Sequence, residues 1–137
     1  MTSICPIARR VGATTVAIVD SCPADYAATT EAVHRPSVTW HFLATGQEAL
    51  RLARSEYVDL WVVNAVLVDM SGIDLCSMLR NRSTPATVYV VTDAYRAADE
   101  QAARICGASL FGCKPMQAEW FSTLTNTWGP HIPTCHV

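Results

Sequence analysis

Four polar side chains close apolar runs in this sequence: Asp20 after Val16–Val19, Asn64 after Val58–Val63, Thr92 after Val88–Val91 and Lys114 after Leu110–Cys113. They supply a carboxylate, an amide, a hydroxyl and an amine. In an open parallel α/β sheet, sites form beyond the carboxyl ends of the strands, so these residues would meet there. Lys114 is expected to pair with Asp20 and to donate to the Asn64 amide oxygen. Such a pair satisfies buried polar groups and catalyses nothing. Thr92 suits either its own turn, the cap of the next helix or a switch. Asp69, five residues past Asn64, is expected to be a solvated loop carboxylate.

No other constellation competes with these four. His34, His41, His131 and His136 form no nucleophile–base pair with a Cys or Ser, and His41 is read as a packing residue between Trp40 and Phe42. Six cysteines occur, with no CxxC pair, so the usual zinc and thioredoxin spacings are missing. Cys76, Cys106 and Cys113 lie in apolar stretches and are read as small hydrophobes. Cys22 is near the strand ends, at a helix start, where a thiolate is stabilised. It is read as an inert loop thiol, with a redox role as the alternative. The tail His131-x-x-x-Cys135-His136 is read as disordered, not as a metal site.

Composition narrows the function classes. The chain has 137 residues, enough for one domain, and 50% of them are hydrophobic, enough for a normal core. Ten basic and 12 acidic residues leave a formal net charge of -2, with the basic ones scattered. That balance gives no reason to expect a nucleic-acid or membrane partner. The opening MTSICPIARR is not a signal peptide, and no apolar run approaches the ~20 residues of a bilayer span. The expectation is a cytoplasmic protein.

The elements that must position the four residues alternate in type. Val16–Asp20, Val38–Ala44, Val58–Asn64, Val88–Thr92 and Leu110–Lys114 are β-rich or near-continuous apolar runs, as in a parallel sheet covered on both faces. Between them, Pro23 suits an early helical turn leading into Ala24-Asp25-Tyr26. Thr45-Gly-Gln-Glu48 has the form of a capping box, and Ser71-Gly-Ile-Asp74 starts a third helix. An Ala-rich helix from Tyr95 to Cys106 stops at Gly107. Met116, Trp120, Leu124 and Trp128 form one stripe of a fifth helix. A βα unit repeated five times predicts a flavodoxin-like, doubly wound α/β fold with right-handed crossovers. Residues 14–128 are expected to form the domain, with 1–13 an N-terminal extension and 129–137 a flexible tail.

From about residue 14 to 128 the chain resembles the receiver domains of two-component response regulators. The pieces carrying the likeness are Val16-Ala-Ile-Val-Asp20, Asp59-Leu-Trp-Val-Val-Asn64, Ser71-Gly72, Val90-Val-Thr92 and Phe111-Gly-Cys-Lys114-Pro115. Each is weak alone, and their order and spacing are specific. The resemblance implies sheet order 2-1-3-4-5. It also implies an acidic pair that binds Mg²⁺ together with an acceptor aspartate, and a hydroxyl and a lysine that hold the phosphoryl oxygens. Asp20 matches the first acid, Thr92 the hydroxyl, Lys114 the lysine, Phe111 the aromatic switch position and Gly72 the glycine of the loop after the acceptor. Ser21 falls at the second acid, Asn64 at the acceptor, and Val68 where a proline is common.

Those departures bear on function. A phosphoryl acceptor needs an anionic oxygen, and the Asn64 amide oxygen is a poor nucleophile. Of three family carboxylates only Asp20 remains, and Lys114 alone would neutralise it, so Mg²⁺ binding should be lost or very weak. Without the metal, transition-state charge has little compensation. The expectation is a stand-alone pseudo-receiver that is not an enzyme, has no cofactor and works by binding a signalling protein not identified by sequence. The resemblance places the partner or homodimer surface on the fourth helix, fifth strand and fifth helix, where Tyr95, Arg96, Phe111, Pro115, Met116, Gln117 and Trp120 lie. Trp120 is read equally well as core. The alternatives are a phosphotransfer receiver with a non-standard acceptor and a thiol redox sensor using Cys22.

Overall fold

A computed structural model describes residues 13–33, 36–82, 86–114 and 119–120. Five strands, β1 (Thr14–Val19), β2 (Val38–Leu43), β3 (Leu60–Asn64), β4 (Thr87–Thr92) and β5 (Leu110–Cys113), form one sheet. Every pairing is parallel and the order is β2-β1-β3-β4-β5, as expected for a flavodoxin-like chain. The helices are α1 (Ala27–Ala32), α2 (Gly46–Ser55), α3 (Gly72–Arg80) and α4 (Ala97–Ile105).

Strand periodicity sorts the core into two layers. Ala17, Val19, Trp61, Val63, Val88 and Val90 face one side with Ala49, Leu75, Leu79 and Ala103 from α2, α3 and α4. Val16, Ile18, Leu60, Val62, Tyr89 and Val91 face the other with Tyr26, and Trp120 packs against them. β3 is buried along its whole length, whereas the edge strands β2 and β5 are largely half-buried or exposed. Among the described residues, no helix is long and apolar enough to cross a membrane.

Local chemistry sets the boundaries. Thr45 caps α2 by accepting from the Glu48 N–H at 3.1 Å, and Glu48 returns a bond to the Ala44 N–H at 2.9 Å, close to the capping box expected. Ser71 caps α3 through the Ile73 N–H at 3.1 Å. Gly107, at φ 97°, ends α4. β3 begins two residues later than the apolar run suggests. The Asp59 carboxylate accepts from the Thr15 N–H at 2.7 Å, standing in for a ladder carbonyl. The first helical segment is split: Pro23–Tyr26 is a 3-10 turn and α1 follows it.

One further expectation meets a correction, at Cys113, and two gain detail. Asp69 is an exposed loop carboxylate, as expected, and its two oxygens accept from the Gly46 and Gln47 N–H groups at 2.9 and 3.0 Å and complete the α2 cap. Cys113 is exposed because it ends an edge strand. Trp120 is half-buried, helical and lies over Gly112, where a Cβ would come within 2.5 Å of its ring. Pro115, Met116, Gln117, Leu124 and Trp128 lie outside the described residues, as do the 1–12 part of the N-terminal extension and the 129–137 tail.

Candidate functional site

Neighbouring ladder steps bring the strand ends into a row. Asp20 follows β1 with its N–H on the Leu43 carbonyl at 2.9 Å. Asn64 is the last residue of β3 and Thr92 the last of β4, and the Lys114 N–H bonds the Thr92 carbonyl at 3.0 Å. Asp20, Asn64 and Thr92 are all buried. The site is therefore a consequence of register, and side-chain direction decides what it can do.

The Asn64 amide has one assignable orientation. Its oxygen accepts from the Val66 N–H at 2.9 Å, which turns the NH₂ toward Asp20, and that group donates to Asp20 Oδ2 at 2.9 Å. Asp20 Oδ2 also accepts from the Tyr26 hydroxyl at 2.6 Å and from Lys114 Nζ at 3.0 Å. The Cys22 N–H donates to Asp20 Oδ1 at 3.0 Å. Burial pushes the Asp20 carboxyl up, but the donors Tyr26, Asn64, Cys22 and Lys114 outweigh it and hold the group below the usual carboxylate range. Tyr26 moves the opposite way: burial first, then its bond to the Asp20 carboxylate, raises its phenol far above normal.

Lys114 is the hub. Its side chain is only 8% exposed, and Nζ donates to Asp20 at 3.0 Å, Asp25 at 2.7 Å and Asp93 at 2.9 Å. The Tyr26 ring centroid lies 5.6 Å from the same nitrogen. Burial lowers the pKa of the ammonium, yet bonds from Asp25, Asp93 and Asp20 outweigh this and raise it above the ordinary lysine value. The expected Lys114 bond to the Asn64 oxygen is not made. Three ammonium protons meet three carboxylates, and the Asn64 oxygen is already used by its own loop. Asp20 is also not the sole acid: Asp25 and Asp93 bring the carboxylates around one ammonium to three.

The remaining residues divide clearly. Thr92 Oγ1 donates to the Ala94 carbonyl at 2.9 Å and accepts from the Ala94 N–H at 3.3 Å, so its hydroxyl bonds its own turn. Ser21 is exposed. Cys22 is exposed, and it precedes only the 3-10 turn. Phe111 meets Tyr95 edge-on at 6.1 Å, and the Tyr95 hydroxyl donates to Glu100 at 2.5 Å. Glu100 in turn pairs with Arg104 at 2.6 Å.

Sequence reasoning missed Tyr26 and Asp25, which it read only as the lead-in to a helix. Their positions, five and six residues after Asp20 with Pro23 forcing a turn between, are the signal that could have found them. Asp93, directly after Thr92, was likewise given no role.

The donor set does not fit Mg²⁺. That ion needs near-octahedral oxygen ligands, chiefly carboxylates and water. Here both Asp20 oxygens are taken by hydrogen-bond donors and an ammonium sits among the carboxylates. Among the described residues, no group of three or more His, Cys, Asp or Glu is arranged to hold a metal.

A family model described as the response regulator receiver domain matches residues 16–125. No curated protein matches. Among solved structures, a CheY-like receiver domain protein from Methanospirillum hungatei JF-1 superposes with a TM-score of 0.74 at 19% identity, covering 85% of this chain and 94% of that one. The signal receiver domain of a putative LuxO repressor protein from Vibrio parahaemolyticus has a TM-score of 0.74 at 20% identity, covering 85% and 89%. A response regulator protein from Burkholderia pseudomallei, solved with a phosphorylated aspartic acid, calcium ion and citrate, has a TM-score of 0.71 at 22% identity, covering 80% and 65%.

Proposed function

Because this chain belongs to the response regulator receiver domain family of two-component signalling, we propose that it is a pseudo-receiver: a protein-interaction module that works without phosphorylation at Asn64. One observation carries this reading. The Asn64 amide donates to Asp20 at 2.9 Å, so a neutral donor occupies the position at which the family likeness places the acceptor carboxylate. An amide in that bond has no anionic oxygen to attack phosphorus. Its carbonyl oxygen is also committed to the Val66 N–H.

The charge arrangement supports the same reading. Lys114, which the family likeness assigns to phosphoryl oxygens, spends all three protons on carboxylates. Thr92, assigned the same task, bonds its own turn. Mg²⁺ has no place in the function proposed. Output then comes from binding a signalling protein or a second copy, and the surface of α4 and β5 around Tyr95 and Phe111 is the candidate face.

The test is titration of the native protein with Mg²⁺ and beryllofluoride, a phosphoryl mimic, followed by tryptophan fluorescence. Trp61 lies three residues before Asn64 on the same buried strand and reports on it. No response is expected in the native protein, and a response should appear in the variant carrying Asn64→Asp with Ser21→Asp. A saturable response in the native protein, or phosphate recovered on it after incubation with acetyl phosphate, would overturn the proposal.

A further inference from the structure

The two edges of the sheet are β2 and β5, and β2 carries none of the usual protection. Exposed strand edges are guarded by charged side chains, by Pro or by a bulge. Val38–Leu43 contains no Lys, Arg, Asp, Glu or Pro, and it pairs with β1 without interruption. Two ladder bonds fix which of its backbone groups face outward. The Thr14 N–H bonds the Ser37 carbonyl at 2.8 Å, and the Asp20 N–H bonds the Leu43 carbonyl at 2.9 Å. Bonds to one neighbouring strand fall on alternate residues, so Thr39 and His41 also turn toward β1. The backbone groups of Val38, Trp40 and Phe42 therefore point away from it.

The same three residues share one side-chain face. On that face a groove of about 630 Å³ is lined by Ala27, Thr30, Glu31, Trp40 and Phe42. Phe42 is 46% exposed, and α1, only six residues long, leaves it open. Two aromatic rings beside one carboxylate suit a flat cation.

The geometry points to β2 as the docking edge for an extended segment of another protein, laid antiparallel as a sixth strand with arginine side chains in the groove. In an antiparallel pair, residues directly opposite share a face and exchange both backbone bonds. The segment's residues that bond Val38 and Phe42 are thus the ones whose side chains enter the groove. The ladder supplies affinity and the groove supplies selection. A guanidinium fits because its plane stacks on Trp40 and Phe42 while its charge meets Glu31. Charge also decides against a second copy. The β2 strand of that copy would bring no cation, and its Glu31 would add a like charge. The inference goes beyond the pseudo-receiver reading, since it gives a partner chemistry to the edge opposite β5.

The experiment is calorimetric titration of the full chain with the capped hexapeptide Thr-Arg-Val-Arg-Val-Thr. One peptide should bind per chain. Replacing both arginines by glutamate, or N-methylating their amides, should weaken binding at least about tenfold. Phe42→Ser should weaken it about tenfold and Glu31→Gln about threefold, with the fold of each variant checked by circular dichroism. The two altered peptides are tested on the native chain, so they decide the question even where a variant unfolds. No binding by the arginine peptide, equal binding by either altered peptide, or unchanged binding in folded Phe42→Ser would overturn the inference. So would a native dimer in sedimentation that Phe42→Ser splits, which would assign the edge to a second copy. None of these outcomes involves Asn64, so the beryllofluoride test fails or succeeds separately.

Discussion

The ends of β1 and β3 differ sharply from the end of β4, one ladder step away. At the first, side chains from separate elements converge: Asn64, Tyr26 and Lys114 all reach Asp20. At the second, Thr92 turns its hydroxyl back onto Ala94, two residues along. Beyond it, Tyr95 closes a local chain with Glu100 and Arg104 inside α4 and its lead-in. The β1–β3 half is thus a long-range polar cross-link, whereas at β4 only Asp93 reaches it, through Lys114, and Thr92 makes short-range bonds. Retaining a residue type says little about role: Lys114 and Thr92 both match the family pattern, yet Lys114 is wired to the end of β1 and Thr92 is not.

The largest break in this contrast comes through Gly72. A Cβ there would lie 1.8 Å from the Asn64 carbonyl oxygen and 2.9 Å from the Ala65 Cα, both backbone atoms that cannot move aside. Gly72→Ala should therefore cost more than about 4 kcal/mol, read as urea unfolding, by displacing the end of β3. An unfolding midpoint near that of the native protein would show that the cross-linked half is more plastic than its packing implies.

Asp20→Asn comes next and sharpens the contrast through pH. The native Asp20 carboxyl lies below its unfolded value, so it adds stability above that value. That contribution fades as pH falls below about 4, through the folded value. The variant should lose roughly 3 kcal/mol near neutral pH, because Lys114 keeps a buried charge with one acid fewer, and should lose less on acidification. Denaturant curves from pH 7 to 3 measure both. An unchanged acid limb would remove Asp20 from the centre of the network.

Thr92→Val should have the smallest effect, about 1 kcal/mol for two local bonds, with the acid limb unchanged. If its acid limb instead moved with that of Asp20→Asn, the two halves would be coupled and the contrast would fail.

How far the sequence discloses this architecture depends on the range of the interactions. Strands were legible because β1, β3 and β4 are covered on both faces and so read as unbroken apolar runs. Their ends pointed to Asp20, Asn64, Thr92 and Lys114. The helices were legible where a cap lies within a few residues, as at Thr45 with Glu48 and at Ser71. Interactions closed in space were not. Asp69 caps a helix 22 and 23 residues earlier, which no local pattern encodes. Asp25 and Tyr26 looked like ordinary helix-leading residues until the 3-10 turn swung them over the end of β1. The Asn64–Lys114 bond was expected from proximity alone, and it failed because backbone and carboxylate partners outcompete an amide oxygen.

The reach of the Lys114 contacts also bears on how the chain folds. Asn64 and Asp20 are 44 residues apart, but Lys114 and Asp20 are 94 apart, linking the first strand to the last. A nascent or partly folded chain can close the amide onto the acid early. It gains the counter-charge only when β5 docks on the edge of the sheet, a late event for contacts so distant in sequence. Until then Asp20 is an acid entering the interior without its ammonium, and burying it unpaired is costly. The network thus penalises assemblies that stop at four strands. It ties docking of the edge strand β5 to the charge balance at the end of β1.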